Sequence, residues 1–177
     1  MRSFVILDRD GVINADSPNY IKSIEEWRPL TGSLEAIGQL TSAGYQIFVA
    51  TNQAGISRGK LSLETLHDIH LQMNIEVENH GGKIDGIQFC PHHPDQQCEC
   101  RKPKPGMLFR LAKDHNLDLA NGYFVGDSVT DLQAAKAAGC KGVLVLTGNG
   151  EKTRTLMSTA ALVHSDLAAF VEDLLNS

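Results

Sequence analysis

The amino-acid sequence predicts an α/β fold, a parallel sheet flanked by helices, and three observations carry that prediction. Short apolar runs rich in Val, Ile and Phe alternate with longer stretches of helical period, the pattern of parallel strands joined by crossover helices. The helical stretches stop at glycines, Gly44, Gly81 and Gly139, a residue type that lets the chain turn left-handed after a helix. Four of the apolar runs are followed at once by polar or acidic residues, and an open parallel sheet binds its ligands at the carboxyl ends of its strands.

The expected strands are Phe4 to Leu7, Gln46 to Ala50, Ile84 to Phe89, Tyr123 to Val125 and Val143 to Leu146. Between the first two, Leu34, Ile37 and Leu40 share one face of a helix that ends near Gly44. The second helix starts at Ser62, whose side chain can accept an orphan amide of the first turn, with Leu61 and Leu66 spaced as a hydrophobic staple. It runs to about His80. A third helix begins near Gly106, and a fourth near Thr130 carries Leu132, Ala135 and Ala138 to Gly139. Ser165 to Leu175 reads as a final amphipathic helix.

The 177 residues fit a single domain, 1–177, with no internal repeat, low-complexity tract or linker. Hydrophobic residues make up 42% and charged residues 21%, the balance of a soluble globular protein. A net charge of −5 excludes a broad basic field for nucleic acid, and the run Arg101, Lys102, Lys104 is too small to reverse it. Phe4 to Leu7 is too short for a signal-peptide core or a membrane span, so the expectation is a cytoplasmic protein with no membrane partner. Without a heptad pattern, a monomer is expected.

The first strand runs into Asp8, Arg9, Asp10, Gly11. A turn would use the same residue types. Two carboxylates two residues apart at a strand end can also face one pocket, one attacking phosphorus while the other moves a proton. An anionic nucleophile approaching a phosphate dianion needs a bridging cation, and oxygen ligands suit magnesium. The acid to help hold it follows the fourth strand, in Gly126, Asp127, Ser128, Val129, Thr130, Asp131, a stretch that also reads as a helix cap. After the second strand, the hydroxyl of Thr51 and the amides near Asn52 and Gln53 can donate to phosphoryl oxygens, and Lys102 can supply fixed positive charge.

Between the third strand and Lys102, Cys90, His92, Cys98 and Cys100 form a CxHxxxxxCxC pattern. Three thiolates and an imidazole close a tetrahedral zinc site with no open position, so the zinc is structural. His93 is adjacent to His92 and is not expected to bind. Cys140, alone after Gly139, reads as a small buried hydrophobe.

Taken together, these strand ends resemble the haloacid dehalogenase superfamily of phosphatases, in order from Phe4 to about Gly150. The resemblance implies a three-layer, Rossmann-like fold, with Asp8 as nucleophile and Asp10 as general acid and base. Thr51 and Lys102 would stabilise the phosphoryl group. Asp8, the backbone carbonyl of Asp10, and Asp127 would hold Mg2+, supported by Asp131. The zinc loop running into Arg101 to Met107, and the stretch Thr51 to Gly59, are similar to the D-glycero-D-manno-heptose 1,7-bisphosphate 7-phosphatases, which implies a phosphorylated sugar substrate and a place in heptose precursor biosynthesis for lipopolysaccharide core or surface polysaccharide. By that resemblance, Asp16, Asn19, Tyr20, Thr51, Asn52, Gln53, Ala54, Arg101 and Lys102 would line the substrate site. The short zinc loop is shared with histidinol-phosphate phosphatases, the alternative enzyme. A catalytically silent phosphosugar-binding module is the alternative of another class. Asn14 to Pro29 is too short for a folded lid, so the site is expected to be capless.

Overall fold

The computed structural model describes residues 3–157 and 162–177. Six parallel strands form one sheet in the order β3-β2-β1-β4-β5-β6, with β1 Phe4–Leu7, β2 Gln46–Asn52, β3 Gly86–Cys90, β4 Tyr123–Gly126, β5 Lys141–Val145 and β6 Leu162–His164. The helices between them are α1 Ser33–Ser42, α2 Leu63–Asn79, α3 Gly106–His115, α4 Val129–Ala138, α5 Gly150–Leu156 and α6 Leu167–Asn176. The strand order reverses between β1 and β4, and a crevice opens at such a reversal, at the carboxyl ends of the two strands.

Alternation along the strands builds the three layers. In β1, Val5 and Leu7 join Ile47 and Val49 of β2 under α1, α2 and α6, while Phe4 and Ile6 join Phe48 and Ala50 under α3 and α4. Both faces of the central strands are therefore dry, which is why these segments read as continuous apolar runs. The register is fixed by pairs such as Val5↔Ile47 and Val5↔Tyr123.

Local signals act where the sequence placed them. Ser62 Oγ accepts from Thr65 N at 3.0 Å, and Leu61 and Leu66 are both buried. Gly44 and Gly139 hold φ of 87° and 72°. Most strand ends differ from expectation by one or two residues, and the larger differences have local causes. β2 continues through Thr51 and Asn52 because they pair with Phe89 and Cys90, and β5 begins at Lys141 because its ladder begins with Tyr123↔Lys141. β3 starts at Gly86, not Ile84, since the side chain of Asp85 takes the amide of Ile47 at 3.0 Å and ends the ladder there. The last helix begins at Leu167, capped by Asp166.

Two elements had no expectation. β6 is a three-residue edge strand with Leu162 and Val163 exposed, and α5 is a seven-residue helix burying only Gly150 and Thr153, so neither carries an apolar pattern. The chain from Asp8 to Gly32, where a lid would sit, holds a 3-10 turn at Ile24–Glu26 and isolated bridges from Asn14 to Asp10 and Pro29. Among the described residues, no helix is long and apolar enough to cross a membrane.

Candidate active site

A cleft of about 280 Å³ opens at the strand-order reversal, floored by the ends of β1, β2 and β4. Asp8 leaves β1 there with its backbone N–H bonded to Val125 O of β4 at 2.9 Å. Both close partners of its carboxylate fall on Oδ1, the Arg9 N–H at 2.7 Å and the Lys102 ammonium at 2.9 Å. That leaves Oδ2 uncommitted among the described residues. Lys102 is 2% exposed; it also lies 2.7 Å from Asp131 Oδ1 and donates to Ala50 O at 2.8 Å. Burial would lower its pKa, but Asp131 and Asp8 outweigh burial and raise it, so the lysine stays charged.

Lys102 is aimed from its backbone. Asn52 Nδ2 donates to Lys102 O and Lys102 N–H donates to Asn52 Oδ1, each at 3.1 Å, so the end of β2 clamps the loop that follows β3. Beside it, Thr51 Oγ1 accepts from Gln53 Nε2 at 2.9 Å and keeps its own hydrogen to give.

Asp10 is held by five hydrogen bonds. Arg9 donates from Nε at 3.1 Å and from Nη2 at 2.9 and 3.1 Å, Asn14 Nδ2 at 2.9 Å, and Gln53 Nε2 at 2.9 Å. Burial alone would raise its carboxyl; the Arg9 charge and the donors from Asn14, Arg9 and Gln53 win and hold it below the usual carboxylate range.

Asp127 closes the other side. Asn149 donates to its Oδ2 from the backbone at 2.7 Å and from Nδ2 at 3.3 Å, and the same Nδ2 reaches Asp16 Oδ2 at 3.1 Å. Gly11, with φ of 83°, passes so close that a Cβ there would collide with the Asp127 carboxylate. Asp131 caps α4, its Oδ2 accepting from Ser128 N at 3.0 Å and Ser128 Oγ at 2.6 Å. Carboxylate oxygens of Asp8, Asp127 and Asp131 lie within 4.8 Å of one another. Burial lifts Asp127 to about 6 against the Asn149 bond, and burial with Asp131 beside it lifts Asp8 well above its ordinary value despite Lys102. The cluster is short of positive charge by this measure, and its donors are hard oxygens. Both features fit Mg2+.

The cysteine loop gathers as its spacing implies. His92 Nδ1 lies 3.2 Å from Cys100 Sγ and 3.6 Å from Cys90 Sγ, while the sulfur separations are 3.2 Å for Cys90–Cys100 and 3.5 Å for Cys90–Cys98 and Cys98–Cys100. Zinc–ligand bonds of about 2.0–2.3 Å in a tetrahedron give edges of about 3.3–3.8 Å, close to these separations, so the four donors fit one zinc ion. His93 turns away and accepts from Asp95 N at 3.2 Å, capping the turn Pro94–Gln96.

Asp8, Asp10, Asp16, Tyr20, Thr51, Asn52, Gln53, Arg101, Lys102, Asp127 and Asp131 all line the cleft. Asn19 and Ala54 do not. Asn19 is exposed, with its carbonyl bonded to Lys22 Nζ, and Ala54 is packed away at 6% exposure. Ser17, Thr130 and Asn149 stand in the wall instead. Arg101 brings a buried Nη1 with no partner among the described residues, an open donor at the cleft wall. Arg9 and Asn149 had no expected role. Asn149 follows β5, where only the general rule about strand ends points.

A HAD-hydrolase-like family model matches residues 99–170. A Pseudomonas putida protein named D-glycero-beta-D-manno-heptose-1,7-bisphosphate 7-phosphatase is 49% identical over 172 residues, 97% of this chain and 98% of that one. A Pseudomonas aeruginosa protein of the same name is 48% identical over 175 residues, 98% of each. A crystal structure of D,D-heptose 1,7-bisphosphate phosphatase from B. bronchiseptica, complexed with magnesium and phosphate, superposes with a TM-score of 0.96 at 48% identity, covering 99% of both chains.

Proposed function

The chain belongs to the family of D-glycero-β-D-manno-heptose-1,7-bisphosphate 7-phosphatases, and from that membership we infer that it is a magnesium-dependent phosphatase that removes the 7-phosphate of D-glycero-D-manno-heptose 1,7-bisphosphate. These relatives favour a heptose bisphosphate over histidinol phosphate. The β anomer is the substrate we assign, since the Pseudomonas relatives carry it in their names. A monomer acting in the cytoplasm completes the reading, supported by the acidic, water-compatible composition.

The residue roles we assign are those the family resemblance implies, and the geometry of the cleft supports them. Asp8 Oδ2 attacks phosphorus, the bond to the sugar oxygen breaks, and that oxygen takes a proton from Asp10. Water then attacks the aspartyl phosphate, giving its proton to Asp10, and Asp8 is released as a carboxylate. Asp10 rests ionised under its donors, so it takes up the first proton as the phosphate dianion arrives and raises its proton affinity. Lys102 and the Thr51 hydroxyl stabilise the equatorial oxygens of the transferring group. Asp8, the Asp10 carbonyl and Asp127 would hold Mg2+, which when bound offsets the repulsion between the carboxylate and the phosphate. Arg101 and Asp16 are placed to read the sugar and its second phosphate.

One observation carries this reading: Asp8 presents an uncommitted oxygen in a cleft where Lys102 and Asp127 converge, with Asp10 fixed two residues on. It is tested by phosphate release, with Mg2+ present, from both anomers of heptose bisphosphate and from histidinol phosphate. Preference for histidinol phosphate would overturn the substrate; no turnover of any ester would favour the silent binding module.

A further inference from the structure

We propose that His70, outside the cleft on α2, is a positioning residue for the phosphatase reaction: its imidazole Nε2 locks the Arg9 guanidinium, and Arg9 in turn fixes the Asp10 carboxylate. The inference rests on the function and on the role of Asp10 assigned above.

His70 is 7% exposed and Arg9 is 1% exposed. Nη1 of Arg9 lies 3.2 Å from His70 Nε2 and has no other partner among the described residues. The remaining two nitrogens, Nε and Nη2, both face Asp10. A guanidinium is a rigid plane, so fixing one corner fixes the fork at the other side. It cannot give up a proton, so His70 must be the acceptor, neutral and protonated at Nδ1. Burial, followed by the Arg9 charge, holds the imidazole down to about 3, in keeping with that tautomer.

Its ring is buried and lies 6.2 Å from that of Phe89 on β3. Asp10, by contrast, sits on a turn, and Asn14 and Gln53 each supply one bond where Arg9 supplies three. Without the His70 acceptor a buried N–H would be left unpaired, and the fork could swing to satisfy it. A displacement of about 1 Å at a proton-transfer group costs on the order of a hundredfold in rate.

The test separates positioning from general support. Phosphoenzyme formation is followed by rapid quench in wild type, His70→Leu and His70→Gln, from heptose bisphosphate and from 4-nitrophenyl phosphate, whose phenolate leaves without proton help. His70→Leu should slow formation from the sugar phosphate by roughly tenfold or more while changing the aryl ester by less than about twofold. His70→Gln, which keeps an acceptor, should restore most of the rate. Equal slowing of both substrates, or no slowing of either, would overturn the proposal. Should His70→Leu fail to fold, nitrogen NMR of the wild-type imidazole decides: a proton on Nδ1 supports the proposal and a proton on Nε2 ends it. A wild type that hydrolyses only the aryl ester would fault the substrate assignment, and the imidazole tautomer would still judge His70.

Discussion

The Lys102 ammonium stands 2.9 Å from Asp8 Oδ1, and both groups are almost out of water. This one cation lies against two buried carboxylates, Asp8 Oδ1 at 2.9 Å and Asp131 Oδ1 at 2.7 Å, and offsets their mutual repulsion. Replacing it by methionine keeps most of the volume and strands the acids. Lys102→Met should cost roughly 3–5 kcal/mol at neutral pH and remove most activity. A urea melt at neutral pH, read beside phosphate release with Mg2+ present, checks this.

Asp8→Asn should abolish turnover and leave the fold in place, since the side chain keeps its volume and its Oδ1 acceptor but loses the nucleophile. Phosphate release with Mg2+ present, read beside the thermal melt, tests it. Near-normal release would remove Asp8 from the nucleophile's role.

The buried His70 gives the stability a pH dependence of definite sign. Its folded-state pKa of about 3 lies below the ordinary 6.5, so the unfolded chain binds the proton first as pH falls. The stability tied to it is complete above about 6.5 and drains away toward 3, amounting to ~2 kcal/mol by pH 5. The difference in stability between His70→Gln and wild type should move in favour of the variant by that amount between pH 7.5 and 5. A pH-independent difference would contradict the burial-driven shift.

Zinc is expected to act through Lys102 without touching substrate. Cys100 is two residues before Lys102, and the Asn52 clamp fixes the loop only at Lys102 itself. Cys98→Ser should lower bound zinc, lower the melting temperature and cut kcat, with Mg2+ in excess failing to restore it. Metal analysis of the wild type finding no zinc would sink this prediction.

Much of this was legible in the sequence because strand ends and site coincide. β1 announces Asp8 by a run of four apolar residues buried on both faces, and Ser62, Gly139 and the cysteine spacing each act locally. The illegible parts depend on distance along the chain. Nothing near Arg9 reveals that His70, 61 positions later, supplies its acceptor. Asn149 meets Asp127 across 22 residues, and β6 owes its strand state to the open edge of β5. Asn19 falls outside the wall because the turn after Asp16 puts Ser17 and Tyr20 there, with Tyr20 in a left-handed conformation at φ of 64°. The Tyr20 ring occupies the space a side chain at Gly55 would need.

The short stretch from Asp8 to Gly32, with one 3-10 turn and isolated bridges at Asn14, leaves the cleft open to solvent in this structure. On the proposed mechanism, the lifetime of a phosphorylated Asp8 would be governed by how well a solvent molecule is aimed at it, rather than by the opening and closing of a gate.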